Sequence, residues 1–169
     1  DGLVYCPGSI NLRPFKRLKP EAFETDLQIN FISLVKVIQS VLPNLLASEQ
    51  ASIVTFSSVA ASMGMPFHTS VAASKGAIEG FSKALAAEYA PKIRVNVIAP
   101  SLTDTPLADK FLNNETKQEK SAERHPLKRF GKPEDSAQMA TFLLSDKSSW
   151  ISGQIFHVDG GMSTLLVNG

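Results

Sequence analysis

Residues 52–99 read SIVTFSSVAASMGMPFHTSVAASKGAIEGFSKALAAEYAPKIRVNVIA, and this stretch decides the fold. Ser52–Phe56 is a short run rich in β-branched residues, and Ile93–Ala99 is a second. Such continuous apolar runs, bounded by turn residues, read as strands buried on both faces. Between them Gly64 and Pro66 mark a loop, and Thr69–Tyr89 carries a helical pattern. Its thin face is Ala72, Gly76, Gly80 and Ala84, and Pro91 stops it. Strand, helix, strand is a βαβ unit, which is built right-handed and makes a parallel sheet.

The pattern extends both ways. Leu3–Cys6 reads as a strand closed by Pro7-Gly8. A basic, proline-punctuated loop over 11–19 leads into a long helix with Pro20 in its first turn. Phe23, Leu27, Phe31, Leu34, Ile38 and Leu45 mark one face of it, and Pro43 should kink or end it. Downstream, 100–125 is polar and irregular with a weak helix near 107–118. Pro133–Leu144 is helical, with Glu134 and Asp135 behind the first proline, and Ile155–Val158 is a last strand before Asp159-Gly160-Gly161. The expected class is α/β: a doubly wound parallel sheet in three layers, of Rossmann type.

Composition narrows the functions. Hydrophobic residues make up 43% of 169, enough for a packed core. Lys and Arg number 17 against 16 Asp and Glu, so no field draws nucleic acid or an anionic membrane. No stretch of about 18 uncharged apolar residues stands out, so no membrane span is expected. The opening residues do not read as a signal peptide. Cys6 is the sole cysteine, which excludes an intrachain disulfide and suggests a cytoplasmic location. Three scattered histidines and one cysteine make no metal constellation. His125 reads as a lid residue and His157 as a packing residue. The sequon at Asn114 carries no weight without a secretion signal.

Four features in order resemble the short-chain dehydrogenase/reductase family across nearly the whole chain. They are Asn30 in DLQINF; SIVTF running into Ser57-Ser58; Lys75 in AASKGAIEGFSKALAAE; and RVNVIAPSLTDTPL followed by PLKRFGKPED and SGQIFHVDGG. The resemblance implies hydride transfer between NAD or NADP and a small carbonyl, alcohol or enoyl substrate. It implies that Ser58 hydrogen-bonds the substrate oxygen. Lys75 would hold the nicotinamide ribose and lower the proton donor's pKa. Asn30 would anchor a water linking Lys75 to solvent. Gly8, Pro100, Thr103 and Thr105 would contact the cofactor. It also implies a homodimer or homotetramer, with Phe31, Ile38, the small residues from Ala73 to Ala84, and Phe156 as candidate contacts. The segment 106–125 would be a mobile lid over the substrate.

The departures are as informative. The family's tyrosine lies four residues before the lysine, and that position is Val71. Valine has no proton to give. His68 lies seven residues before Lys75, close to two helical turns, so the two can share a face. Enoyl reductases within the family place their tyrosine at that spacing, and a histidine can donate near neutral pH. The usual Pro-Gly after the strand reads Pro100-Ser101, which suggests a backbone demand on Ser101 that glycine would ease. No glycine-rich phosphate loop occurs. The chain therefore reads, over 1–169, as the family's domain from its fourth strand onward, with the phosphate-binding half missing. Two alternatives stay open: a catalytically weakened nucleotide-binding relative, and an oligomerisation fragment.

Overall fold

A computed structural model describes residues 1–167. Four parallel strands lie side by side in chain order: β1 (Gly2–Tyr5), β2 (Ala51–Phe56), β3 (Ile93–Pro100) and β4 (Ile155–Val158). The alternation of side chains along each strand splits the core in two. Ile53 and Val95 join Tyr5, Leu34, Ile38, Leu45 and Ile78 beneath one layer of helices. Val54 and Ile98 join Ala140 and Leu143 on the opposite face. The first layer is α1 (Pro20–Leu27), α2 (Ser33–Ala47) and α3 (Thr69–Tyr89); the second is α6 (Pro133–Leu144). Two short helices, α4 (Asp109–Leu112) and α5 (Glu115–Glu123), build the segment read as a lid. The α/β three-layer expectation is met.

The long helix departs from expectation twice. Pro43 lies inside α2 without ending it, because Leu45 beyond it is buried in the core. Between α1 and α2 the chain makes a π turn over Gln28–Ile32, with the Ser33 N–H bonding Gln28 O five residues back. The Ser33 hydroxyl donates to the same oxygen at 2.7 Å, which supports the wider turn. The run Pro20–Ala47 also holds an 18-residue window with a mean hydropathy of 1.5, long and apolar enough to cross a membrane, contrary to the expectation from sequence. In the fold, Asn30, Leu34, Ile38 and Leu45 form its inward face. Lys36 and the polar residues punctuating the run had masked its mean apolarity.

Several smaller readings need correction. Ile38 is core, which removes it as a contact between subunits. Phe31 packs edge-on against Phe81 at 5.5 Å and is partly buried. Ser101 does not adopt the left-handed backbone; the non-glycine residues that do are Phe67 and Lys128. His157 is exposed and reaches only the Ser62 hydroxyl at 3.3 Å, so it does not pack in the core. Asn114 caps α5, its carbonyl accepting the Lys117 N–H at 3.0 Å.

At the other end of the sheet from the site, Arg94 of β3 closes α6. Its guanidinium donates to Leu143 O at 2.9 Å, Ser145 O at 3.2 Å and the Ser148 hydroxyl at 2.9 Å. The two carbonyls belong to the helix end, where carbonyls lack partners within the helix. The adjoining loop carries Trp150, which is 99% exposed.

Candidate functional site

In an open parallel sheet, ligands bind beyond the carboxyl ends of the strands. Here β1 ends toward Gly8, β2 toward Ser57-Ser58 and β3 toward Ser101, all on one rim. At that rim lies a cavity of about 380 Å³. Ser58, His68, Val71, Ser101 and His125 line it, with an apolar floor that includes Ile10, Met65, Phe111 and Met162.

Ser58 caps the turn Val59–Ala61, its hydroxyl oxygen accepting the Ala60 N–H at 3.2 Å. The hydroxyl proton is left free to donate. Ser57, one residue earlier, is buried and spent on Glu79 Oε1 at 2.7 Å. His68 is the residue before α3, and its carbonyl accepts the first helical N–H, from Ala72, at 2.7 Å. Its Nδ1 lies 2.7 Å from Pro66 O, so Nδ1 carries the proton and Nε2 remains for a ligand. Val71, 5% exposed, lines the same cavity.

Lys75 stands behind that wall. It is 8% exposed, and its ammonium donates to Phe56 O at 2.9 Å. Burial pulls its pKa down to about 8, while the nearby Cys6 thiol pulls the other way. An ammonium has three donors, and one is used here. A methyl group placed on Gly8 would lie 3.3 Å from Lys75 Nζ and 3.2 Å from Asn30 Oδ1. The bare backbone of Gly8 therefore leaves the space beside the ammonium open. Free ammonium donors beside open space suit a pair of ribose hydroxyls, so the residues present fit a nicotinamide nucleotide.

Asn30 is fully buried in the π turn. Its carbonyl accepts the Ser9 N–H at 2.8 Å, and its amide donates to Ser9 Oγ at 3.0 Å and Ser74 Oγ at 2.9 Å. The amide thus ties the loop after β1 to α3, one residue from Lys75. A second clamp escaped the reading of the sequence. Asp26, 2% exposed, accepts Ser9 Oγ at 2.7 Å and Ser70 Oγ at 2.5 Å. Its signal was available: Asp26 precedes Asn30 by one helical turn on the same face.

Pro100, Thr103 and Thr105 do not line the cavity. The Thr103 hydroxyl donates to Ser101 O at 3.1 Å, and Thr103 bridges Gly131, which fixes the loop after β3. His125 is 2% exposed, with Nδ1 2.6 Å from Ser121 O and Nε2 2.8 Å from Ser101 Oγ. Ser101 then donates its proton to Nε2. The pair separates the cavity from a second one of about 280 Å³. No cluster able to hold a metal ion exists among the described residues.

The parallel α/β sheet carries Asn30, Ser58 and Lys75 toward its carboxyl rim, in the order in which the sequence resembles a known family. This chain belongs to the short-chain dehydrogenase/reductase family. The family model described as enoyl-(acyl carrier protein) reductase matches residues 1–163. The chain is 40% identical over 147 residues to 3-oxoacyl-[acyl-carrier-protein] reductase FabG of Thermotoga maritima, covering 86% of this chain and 59% of that protein. It is 33% identical over 169 residues to inactive 2-(S)-hydroxypropyl-CoM dehydrogenase 2 of Xanthobacter autotrophicus, covering 97% of this chain and 74% of that one. A gluconate 5-dehydrogenase of Burkholderia cenocepacia, solved with NADP and tartrate, superposes with a TM-score of 0.91 at 26% identity. That superposition covers 98% of this chain and 66% of that one. The chain spans 59% of the length of the FabG relatives from Thermotoga maritima and Chlamydia trachomatis.

Proposed function

We propose that this chain forms the substrate half of a cytoplasmic, homo-oligomeric NAD(P)-dependent oxidoreductase acting on a small carbonyl, alcohol or enoyl compound. The nicotinamide, when bound, supplies or accepts the hydride. The observation that carries the reading is the buried Lys75 ammonium beside Gly8, with donors to spare and with Ser58 and His68 on the adjoining cavity wall. Lys75 holds the ribose, and Asn30 positions the loop around it and anchors a water leading to solvent. Gly8 leaves room for the cofactor, and the Pro100–Thr105 loop contacts it through Pro100, Thr103 and Thr105. Ser58 donates a hydrogen bond to the substrate oxygen and so favours charge developing there. His68, protonated at Nε2 as well as at Nδ1, gives the Nε2 proton to that oxygen on reduction and takes it back on oxidation, the role Val71 cannot take. The segment 106–125 covers the bound substrate.

Single-residue variants of the full-length protein test this. His68→Ala is expected to lower NAD(P)H-dependent turnover on a carbonyl panel by about 100-fold, the usual scale of a lost general acid. Unchanged turnover removes His68 from the mechanism. A second reading, a nucleotide-binding relative with little or no turnover, is favoured by Val71 and by the likeness to a relative named inactive. Tight nicotinamide binding with no turnover in wild type, and turnover gained in Val71→Tyr, would establish that second reading instead.

A further inference from the structure

The cavity that holds Ser58 and His68 has a charged side. Lys110 on α4, Lys117 and Lys120 on α5, and Arg124 directly after α5 all line it, and no aspartate or glutamate does. The chain as a whole is nearly balanced, at +1, so four cations without one acid is a local asymmetry. The acids of α5 do not neutralise them. Glu115, Glu119 and Glu123 lie outside the lining, and Arg129–Asp135 is the one ion pair among the described residues.

The four cations divide by what they already hold. Lys110 donates to Ile10 O at 3.1 Å and lies 5.0 Å from the centre of the Phe111 ring. Lys117 donates to Lys110 O and to Asn113 Oδ1, each at 2.8 Å. These two fasten α4 and α5 together and to the loop after β1. Lys120 and Arg124 have no side-chain hydrogen bond among the described residues. The dipole of α5 favours cations near its C-terminal end, which accounts for their place along the helix. It does not account for their convergence on one cavity with Lys110 from another helix. Much of the remaining lining is apolar, with Met65, Val71 and Met162 among it.

We propose that the substrate is an amphipathic anion: an oxyanion on a short apolar chain. Lys120 and Arg124 hold its charge, the apolar floor takes its chain, and its reacting carbon lies at Ser58. Arg124 can pair bidentately with a carboxylate or phosphate, while Lys120 acts as a point charge. The proposal rests on the oxidoreductase reading for the words substrate and reacting carbon; the anion site itself does not.

The test uses the full-length protein with octanoate, octyl phosphate and neutral octanamide as probes. The result expected is that one anion or both bind at least about 10-fold tighter than octanamide. The advantage should shrink as salt rises from about 0.05 to about 0.5 M, because the cations lie at a solvent-facing rim. The tighter of the two anions assigns the charge to a carboxylate or a phosphoryl group. Lys120→Gln with Arg124→Gln should abolish the advantage and leave octanamide binding and nicotinamide binding unchanged. Equal binding of all three probes, or a double variant that still prefers anions, overturns the proposal. Turnover separates the two readings. Acidic and neutral carbonyls reduced equally well, in wild type and double variant alike, overturn the anion site and leave the oxidoreductase standing. Anion preference lost in the double variant, with no nicotinamide-dependent turnover of any carbonyl, sinks the oxidoreductase and leaves the anion site.

Discussion

Lys75 is the residue whose chemistry is most constrained by its surroundings. Burial holds its folded-state pKa near 8, against about 10.4 in an unfolded chain. Below pH 8 both states carry the proton, and the fold bears the cost of a buried ammonium. Between about 8 and 10.4 the unfolded chain binds the proton and the folded chain does not, so stability rises with pH in that window. Comparison with Lys75→Met isolates the effect. The stability of wild type relative to the variant should be flat below pH 8 and rise by about 1.4 kcal/mol per unit above it. Urea melts of both proteins at pH 7, 8, 9 and 10 check this, and a difference that ignores pH would mean the ammonium is well solvated. The resemblance to the family brought Lys75, Asn30 and Ser58 to notice. It could not show that Asn30 is bonded to Ser9 and Ser74, because those contacts join positions 21 and 44 residues away. The partners of His125 were hidden for a related reason: only the fold brings Ser101 and Ser121 O to its two nitrogens.

Among the elements, those with a strong period were legible and those with local strain were not. Thr69–Tyr89, Pro133–Leu144 and Ile155–Val158 stand where proline, acid and β-branched signals put them. The π turn at Gln28–Ile32 has no such signal, since its sequence is an ordinary helical run. The cap on α6 was equally hidden. Its last turn holds no basic residue, and the cation comes from Arg94, 49 residues earlier in the chain. Arg94 is held by two carbonyls of the α6 end and by Ser148, so Arg94→Ala should destabilise the fold by about 2 kcal/mol. Arg94→Lys should recover less than half of that, because one ammonium cannot span the same acceptors as a planar fork. Equilibrium denaturation of the three proteins measures both figures. An alanine variant as stable as wild type would show that Ser52 and Ser148, which also donate to Leu143 O, suffice alone.

For the molecule as a whole, β1 is one edge of the sheet and β4 the other. The outer hydrogen-bonding groups of β1 have no neighbouring strand among the described residues, and Val4 is 37% exposed. Such an edge pairs with whatever strand it meets. The 169-residue chain, expressed alone, should self-associate as concentration rises and show no turnover, and Val4→Lys should reduce the association. Sedimentation velocity over a range of concentrations checks this; a monomer at all of them would mean that the edge is covered. The other end of the sheet offers a different opportunity. Trp150 is the only tryptophan, it is 99% exposed, and it lies in the loop entering β4, far from the carboxyl rim. Its emission is therefore an optical gauge of assembly that is blind to chemistry. Ligands filling the cavity should leave its colour alone, and any neighbour that settles on that loop should turn it bluer.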